Sequence, residues 1–254
     1  MFHCGGRQFR RAGQIGSISD GVDRPRAPAY IADNDDYFAG TFPMPRILPG
    51  ETELYALTDS RLSLGRSVVE VADALLRAGI RIIQYREKQL KSGAMLRECE
   101  ALRRMTLEAG ACFIVNDHAD IALLCRADGV HVGQEDIPVS SLRALLGPDK
   151  IIGLSTHSPK EALAAASAGA DYIGVGPLFA TQTKEDVCAP VGLEYLDWAA
   201  AHSQLPFVAI GGIKRHNIGE VVRHGAKCCA LVSELVGAQD IPARVTEVRA
   251  CMKA

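Results

Sequence analysis

The sequence has no long hydrophobic run, no excess of charge of either sign and no Cys-x-x-Cys pair. No apolar stretch approaches the roughly 20 residues that a membrane-spanning helix needs, so we predict no membrane partner. With 28 basic against 30 acidic residues, the formal charge of −2 predicts no nucleic-acid surface. The eight cysteines follow no disulfide framework or zinc-site spacing. We therefore expect a cytoplasmic protein, with homo-oligomer formation left open.

Residues 1–50 differ in composition from the rest of the chain. Their arginines alternate with Gly, Ser, Pro and Asp, and no hydrophobic period is sustained. The apolar core of a secretory signal is missing, and the aspartates between positions 20 and 36 fit a transit peptide poorly. We predict a disordered N-terminal extension over 1–50 and a single folded domain over 51–254.

From residue 53 onward, a short β-rich run, a polar joint and an amphipathic helix recur. The predicted strands are Leu54–Leu57, Arg81–Tyr85, Cys112–Val115, Gly129–Val132, Ile151–Leu154, Tyr172–Val175, Phe207–Ile210 and Cys229–Val232. Alternating strands and helices indicate a parallel sheet, and eight such units predict an α/β fold, the closed (β/α)8 TIM barrel. A doubly wound open sheet is the alternative, but its glycine-rich turn after the first strand is replaced by Thr-Asp-Ser-Arg at 58–61.

In such a barrel the site lies where the strands end, so the residues that follow each strand are the candidates. After the second strand, alternation places Gln84, Arg86 and Lys88 on one side, where they would form an oxyanion clamp. The alternative is that Arg86 and Lys88 pair with Glu87 or with neighbouring acids at the surface.

Carboxylates follow the third and fourth strands. Asp117 and Asp136 would share one hard cation, because Mg²⁺ is typically held by one or two carboxylates together with substrate phosphates. For Asp117 the alternative is a helix N-cap. Asp120 and Glu135 are further candidates.

The later strands are followed by small and hydroxyl residues. Ser155 stands at the end of the fifth strand, whereas His157 is as readily a capping histidine as a general base. Gly212 and Ser233 follow the seventh and eighth strands, the recurring phosphate site of barrel enzymes. Between them, the polar loop after the sixth strand suits an anionic ligand, with Thr181, Thr183 and Lys184. The sequence thus predicts two anion sites across one mouth, for two phosphorylated small-molecule substrates.

At these residues the chain resembles the thiamine-phosphate synthase (thiamine-phosphate pyrophosphorylase) family. The resemblance covers 54–236 and depends on the order and spacing of its motifs, which are Gln84-Tyr85-Arg86-Glu87-Lys88, Asn116-Asp117, Gly133-Gln134-Glu135-Asp136, Ser155-Thr156-His157, Gly174-Val175-Gly176-Pro177, Thr181-Gln182-Thr183-Lys184, Ala209-Ile210-Gly211-Gly212-Ile213 and Val232-Ser233. Gln182 departs from the family, which often has proline there.

The resemblance implies an enzyme that joins hydroxymethylpyrimidine diphosphate to a thiazole phosphate and releases pyrophosphate with Mg²⁺. It assigns the pyrimidine diphosphate to Gln84, Tyr85, Arg86, Glu87, Lys88, Asn116, Ser155 and Lys184, and the metal to Asp117 and Asp136. It assigns the thiazole phosphate to Thr181, Gln182, Thr183, Gly212, Val232 and Ser233. Arg86, Lys88, Ser155 and Lys184 would be catalytic. A thiazole tautomerase of the same fold and a non-catalytic binder of thiamine precursors are the alternatives.

Overall fold

Short strands alternate with helices along the described part of the chain. A computed structural model describes residues 47–181, 183 and 188–253. The strands are β1 (Leu54–Leu57), β2 (Ile82–Tyr85), β3 (Cys112–Asn116), β4 (Gly129–Val132), β5 (Ile151–Thr156), β6 (Tyr172–Val175), β7 (Phe207–Ala209) and β8 (Cys229–Leu231). The helices are α1 (Val68–Arg77), α2 (Ser92–Glu108), α3 (Ala119–Leu124), α4 (Val139–Leu146), α5 (Pro159–Ala168), α6 (Gly192–His202), α7 (Ile218–Arg223), α8 (Ser233–Val236) and α9 (Ile241–Met252).

The strands form a closed parallel barrel in sequence order, and β8 pairs back onto β1. Leu54 of β1 stands opposite Cys229 of β8, which closes the ring. The predicted (β/α)8 barrel is confirmed, and the open sheet is excluded because an open sheet would leave two edge strands unpaired. β5 runs on to Thr156, past the predicted end at Leu154.

The ends of α5 show how local capping chemistry sets the limits of a helix. The Ser158 side chain accepts a hydrogen bond from the Glu161 amide, and Pro159 occupies the first turn of α5. Gly169 ends this helix with φ of 90°, a left-handed conformation that costs glycine little. The connection from β5 to α5 is therefore a short turn, and it leaves the end of β5 at the barrel mouth.

The apolar residues form two layers, as expected when a closed sheet is wrapped by helices. In β2, Ile83 and Tyr85 belong to the cluster between sheet and helices, whereas Ile82 belongs to the cluster that fills the barrel. Ile47, which precedes β1, also packs in the inner cluster and is 7% exposed. Side-chain alternation along each strand thus separates a structural outer face from an inner face that leads to the mouth.

Most of the predicted extension lies outside the described residues, so the division into 1–50 and 51–254 stays a prediction. In the described ranges, none of the helices combines the length and apolar character needed to cross a bilayer.

Candidate active site

The carboxyl ends of the strands surround a cavity of about 530 Å³. Segments from both halves of the barrel contribute to its wall. The predicted site residues that line it are Gln84, Arg86, Lys88, Asn116, Asp117, Asp136, Ser155, Thr181, Thr183, Gly212, Val232 and Ser233. Gln182 and Lys184 lie outside the described residues. One cavity therefore brings together the residues of both predicted anion sites.

Alternation after β2 places three polar side chains on the cavity wall, Gln84, Arg86 and Lys88. Tyr85 and Glu87 are not among the residues that line it. The Tyr85 hydroxyl donates to Glu98 of α2 at 2.6 Å, and burial together with this carboxylate raises the pKa of Tyr85. One Glu87 oxygen accepts the amide hydrogens of the next two residues at 2.7 and 2.6 Å, so Glu87 shapes the turn.

Arg86 is held by a buried partner rather than by a surface acid. Its Nη1 lies 2.6 Å from Asp59 Oδ2, and the two side chains are 9% and 3% exposed. Asp59 follows β1 at the same barrel end, and its other oxygen accepts from the Arg61 amide. The alternative that Arg86 pairs with Glu87 or another acid at the surface is therefore wrong for this residue. Asp59 fixes the guanidinium at the cavity wall.

The two carboxylates predicted to bind metal both line the cavity, on neighbouring strand ends. Asp117 Oδ2 accepts hydrogen bonds from Lys88 Nζ at 2.6 Å and from the side-chain Nδ2 of Asn116 at 2.7 Å. Asp136 Oδ2 accepts from the Gly133 amide at 2.7 Å. The N-cap alternative for Asp117 is wrong, because α3 has its N-cap at the next residue and no side-chain cap bond.

This acidic pair suits a hard cation. Asp117 adopts a left-handed φ of 61°, which an aspartate tolerates better than most residues and which turns its carboxylate toward the Lys88 ammonium. No cluster of three or more His, Cys, Asp or Glu ligands occurs among the described residues. Two carboxylates match the way in which Mg²⁺ is held, since phosphates and waters supply its other ligands.

Ser155 closes the floor of the cavity from β5. Its hydroxyl lies 3.0 Å from His131 Nε2, and its carbonyl accepts from the Gln134 side chain at 2.6 Å. His157 also borders the cavity, but its Nδ1 donates to the Gly176 carbonyl at 2.6 Å. That bond orients the ring and supports the role of a structural histidine over that of a general base.

Backbone groups build the opposite wall. Gly212 has φ of 66°, and a Cβ there would lie 2.7 Å from the Ala180 carbonyl oxygen, so only glycine lets the two loops approach. Ser233 begins α8 directly beside this turn. Lys214 Nζ donates to Ser233 Oγ at 2.7 Å and also borders the cavity. Glu234 Oε2 lies 3.8 Å from the same ammonium, so this wall combines backbone groups with a cation that has an acidic neighbour.

The loop after β6 connects the two walls. Thr181 Oγ1 donates to Thr183 Oγ1 at 3.3 Å, and Arg61 Nη2 donates to the Thr183 carbonyl at 3.1 Å. The segment after β1 therefore supports both Arg86, through Asp59, and the threonine loop, through Arg61.

Known proteins resemble the chain over almost the whole barrel. A family model described as thiamine monophosphate synthase matches residues 54–235. The thiamine-phosphate synthase of Lawsonia intracellularis is 62% identical over 209 residues, which are 81% of this chain and 96% of that protein. The thiamine-phosphate synthase of Pelotomaculum thermopropionicum is 58% identical over 200 residues, 79% of this chain and 92% of that protein.

This chain belongs to the thiamine-phosphate synthase family. Among solved structures, the thiamine phosphate pyrophosphorylase of Pyrococcus furiosus matches with a TM-score of 0.72 at 37% identity. That match covers 79% of this chain and 95% of the other. The family resemblance predicted from the motifs is confirmed.

Three residues at this synthase-family site were not found from the sequence. Asp59 stands in the turn after β1, His131 lies within β4, and Lys214 stands two residues beyond the glycine pair after β7. Position after a strand end was therefore an available signal for Asp59 and Lys214, whereas His131 inside its strand had no such signal.

Proposed function

We propose that this chain is a thiamine-phosphate synthase. It joins 4-amino-2-methyl-5-hydroxymethylpyrimidine diphosphate to 4-methyl-5-(2-phosphoethyl)thiazole and releases pyrophosphate; with the carboxylated form of the thiazole, CO₂ is released as well. The observation that carries the proposal is the single cavity, in which a cationic and acidic wall faces a backbone-built wall. Two anionic groups at opposite ends of one cavity match a reaction between two phosphorylated substrates.

The reaction begins with cleavage of the bond between the pyrimidine methylene carbon and the diphosphate oxygen. The bonding electrons leave with pyrophosphate, and the thiazole nitrogen then donates its lone pair to the cationic carbon. This dissociative route needs stabilisation of the departing charge more than it needs a strong base. Arg86 and Lys88, whose charges are held in place by Asp59 and Asp117, supply it together with Lys184, and such charge is worth most in a site shielded from water.

Mg²⁺ is the metal that we propose, held by Asp117 and Asp136. When bound, it neutralises charge on the diphosphate oxygens. Lys88 already lies against Asp117, so the ammonium and the carboxylate are both close to where the leaving group must sit. Asn116 holds the same carboxylate oxygen and thereby fixes its direction.

The thiazole phosphate occupies the opposite wall. Gly212, Val232 and Ser233 offer backbone and hydroxyl groups to its phosphate, and Lys214 adds the charge that those neutral groups lack. We assign Thr181 and Thr183, which line the cavity, to the thiazole substrate, together with Gln182. Tyr85 and Glu87, which point away from the cavity, act by shaping the strand end that carries Arg86.

Two other functions fit the site less well. A thiazole tautomerase has no diphosphate to bind. In such an enzyme, Arg86, Lys88, Asp117 and Asp136 would have no ligand, and their presence argues against that function. A non-catalytic binder of thiamine precursors would not need paired carboxylates beside paired cations. A cytoplasmic location, small-molecule partners without nucleic acid, and homo-oligomer formation remain parts of the proposal.

The test is to mix both substrates with Mg²⁺ and to measure pyrophosphate and thiamine phosphate. Equal amounts of the two products are expected. Omission of the pyrimidine diphosphate tests tautomerisation in the same assay. Binding of the thiazole phosphate by calorimetry without turnover would refute the proposal in favour of a binding protein.

A further inference from the structure

A row of hydrogen bonds crosses the floor of the cavity from β2 to β5. Gln84 Nε2 donates to the Tyr55 hydroxyl at 2.8 Å, and that hydroxyl lies 2.9 Å from the Tyr172 hydroxyl. Tyr172 in turn lies 2.9 Å from His131 Nδ1, and His131 Nε2 lies 3.0 Å from Ser155 Oγ. Both ends of the row are predicted substrate ligands, whereas the three members between them have no assigned task.

The first bond sets one end of the row. An amide nitrogen only donates, so the Tyr55 oxygen accepts from Gln84, and the Tyr55 hydrogen is free to be donated to Tyr172. In the bond between the two tyrosines either hydroxyl can donate, so the row has two possible directions. In the direction that starts at Gln84, the Tyr172 hydrogen goes to His131 Nδ1, and the imidazole proton stands on Nε2 and points at Ser155 Oγ.

Burial keeps the row intact. Tyr55 and Tyr172 are each 1% exposed, and burial raises the pKa of both hydroxyls above the ordinary value, so both stay protonated and able to donate. Gly153 makes room for the third bond. A Cβ at Gly153 would lie 2.2 Å from Tyr172 Cζ and 2.4 Å from His131 Nδ1.

We propose that the row runs from Gln84 to Ser155, so that Tyr55, Tyr172 and His131 are positioning residues that present Gln84 Oε1 to the ligand as an acceptor and the Ser155 hydroxyl as a donor. This inference rests on the proposed function. An aminopyrimidine ring matches it, because its exocyclic amine donates and its ring nitrogens accept. An oxopyrimidine offers a carbonyl and a ring N–H instead, so it meets Gln84 and Ser155 with the wrong polarity.

The direction of the row is tested without turnover, by ¹⁵N NMR of the histidine side chains in the full-length protein. His131→Gln assigns the signal by its disappearance. The expected result is a proton on Nε2 and none on Nδ1. A proton on Nδ1 would mean that the row runs the other way and would overturn the proposal, whether or not the protein is a synthase.

The consequence for specificity is tested with Tyr55→Phe, which releases the Gln84 amide to rotate. Tyr195→Phe is the matched control, because Tyr195 is also buried and loses one hydroxyl bond, to Thr156 at 2.7 Å, outside the barrel interior. Steady-state kinetics are measured with the aminopyrimidine diphosphate and its oxo analogue, and thermal unfolding checks the fold of each variant.

For Tyr55→Phe, the preference for the aminopyrimidine over its oxo analogue should fall by about tenfold or more, because a buried polar group then loses its fixed partner. KM for the thiazole phosphate should stay within about twofold of wild type. An unchanged preference, or the same loss in Tyr195→Phe, would overturn the proposal. Absence of turnover in wild type would refute the proposed function, while the NMR result would still decide the direction of the row.

Discussion

The Arg86–Asp59 pair shows how much a single contact depends on its depth. Arg77 and Asp73 in α1 lie at the same 2.6 Å separation, but their side chains are 70% and 49% exposed. The two ion pairs have the same separation, but one is exposed to water and the other is buried. Removal of one partner therefore has very different consequences at the two places.

Asp59→Ala should lower the free energy of unfolding by about 3–5 kcal/mol, because it leaves the Arg86 charge buried without its partner. Asp73→Ala is the matched control and should cost less than about 1 kcal/mol, since water screens an exposed pair. Urea unfolding measures both. Similar losses in the two variants would contradict the assignment of a buried pair.

Lys214→Ala should raise KM for the thiazole phosphate about 10- to 100-fold, the cost of a charge-assisted hydrogen bond of about 1.5–3 kcal/mol. KM for the pyrimidine diphosphate should barely change, because Lys214 belongs to the opposite wall. Lys227→Ala, an exposed lysine on the loop before β8, is the control. A parallel rise in both KM values would place Lys214 outside the phosphate site.

Asp136→Asn should shift the Mg²⁺ titration of activity to higher concentration, because an amide oxygen carries no charge to hold the cation. Asp149→Asn, an exposed aspartate before β5, should leave the titration unchanged. If Asp136→Asn titrates like wild type, Asp136 is not a metal ligand.

The sequence predicted which residues reach the cavity better than it predicted what they touch. Alternation after β2 correctly placed Arg86 and Lys88 on one wall, since strand geometry is local. The partner of Arg86 comes from a different strand, and no local pattern carries that information. Asp59 and His131 were missed for this reason.

At the scale of elements, Gly212 allows the turn after β7 to lie close to the loop after β6. Gly212→Ala should lower the melting temperature by several degrees, because its φ of 66° strains alanine and its Cβ would meet the Ala180 carbonyl at 2.7 Å. Gly93→Ala in α2 is the control, with nothing within 4 Å, and should be stabilising by up to about 1 kcal/mol. Thermal unfolding compares them. An unchanged melting temperature for Gly212→Ala would show that the loops are not in contact.

The type of each helix or strand, and many of their ends, could be predicted from the sequence because they depend on local periodicity and capping. The apolar runs predicted every strand, and the Ser-Pro pair at 158–159 is a local signal for the start of α5, where the structure places it. The end of β5 was set too early, because Ser155 and Thr156 look polar while Thr156 is in fact buried. Its hydroxyl is satisfied by Gly174 and Tyr195, which are distant in sequence.

At the scale of the molecule, the family match and the inner core define where the working unit begins. A chain that starts at residue 47 should keep wild-type turnover and melting temperature, because it retains Ile47 in the barrel interior. Adding Ile47→Ala to this shortened chain should cost about 2–5 kcal/mol in urea unfolding. Leu145→Ala, at 56% exposed, is the control and should stay within about 0.5 kcal/mol. A folded but inactive shortened chain would give residues 1–46 a role in the reaction.

The barrel itself was predictable because eight similar units leave few ways to pair parallel strands. Ring closure also explains why both walls belong to one cavity, since every strand ends at the same face. The exact depth of each side chain depends on packing from all eight units at once, and it could not be read from one segment.

Because β1 finds its second neighbour only in β8, a ribosome that has made the first strand must complete the last one before the sheet can close. At about 5–20 residues per second, that wait lasts roughly 10 to 35 seconds. Throughout it the nascent chain carries two open strand edges, which attract other unfinished chains. Chaperones therefore have a limited time in which to bind the open sheet. That time ends when β1 pairs with β8, with Leu54 opposite Cys229.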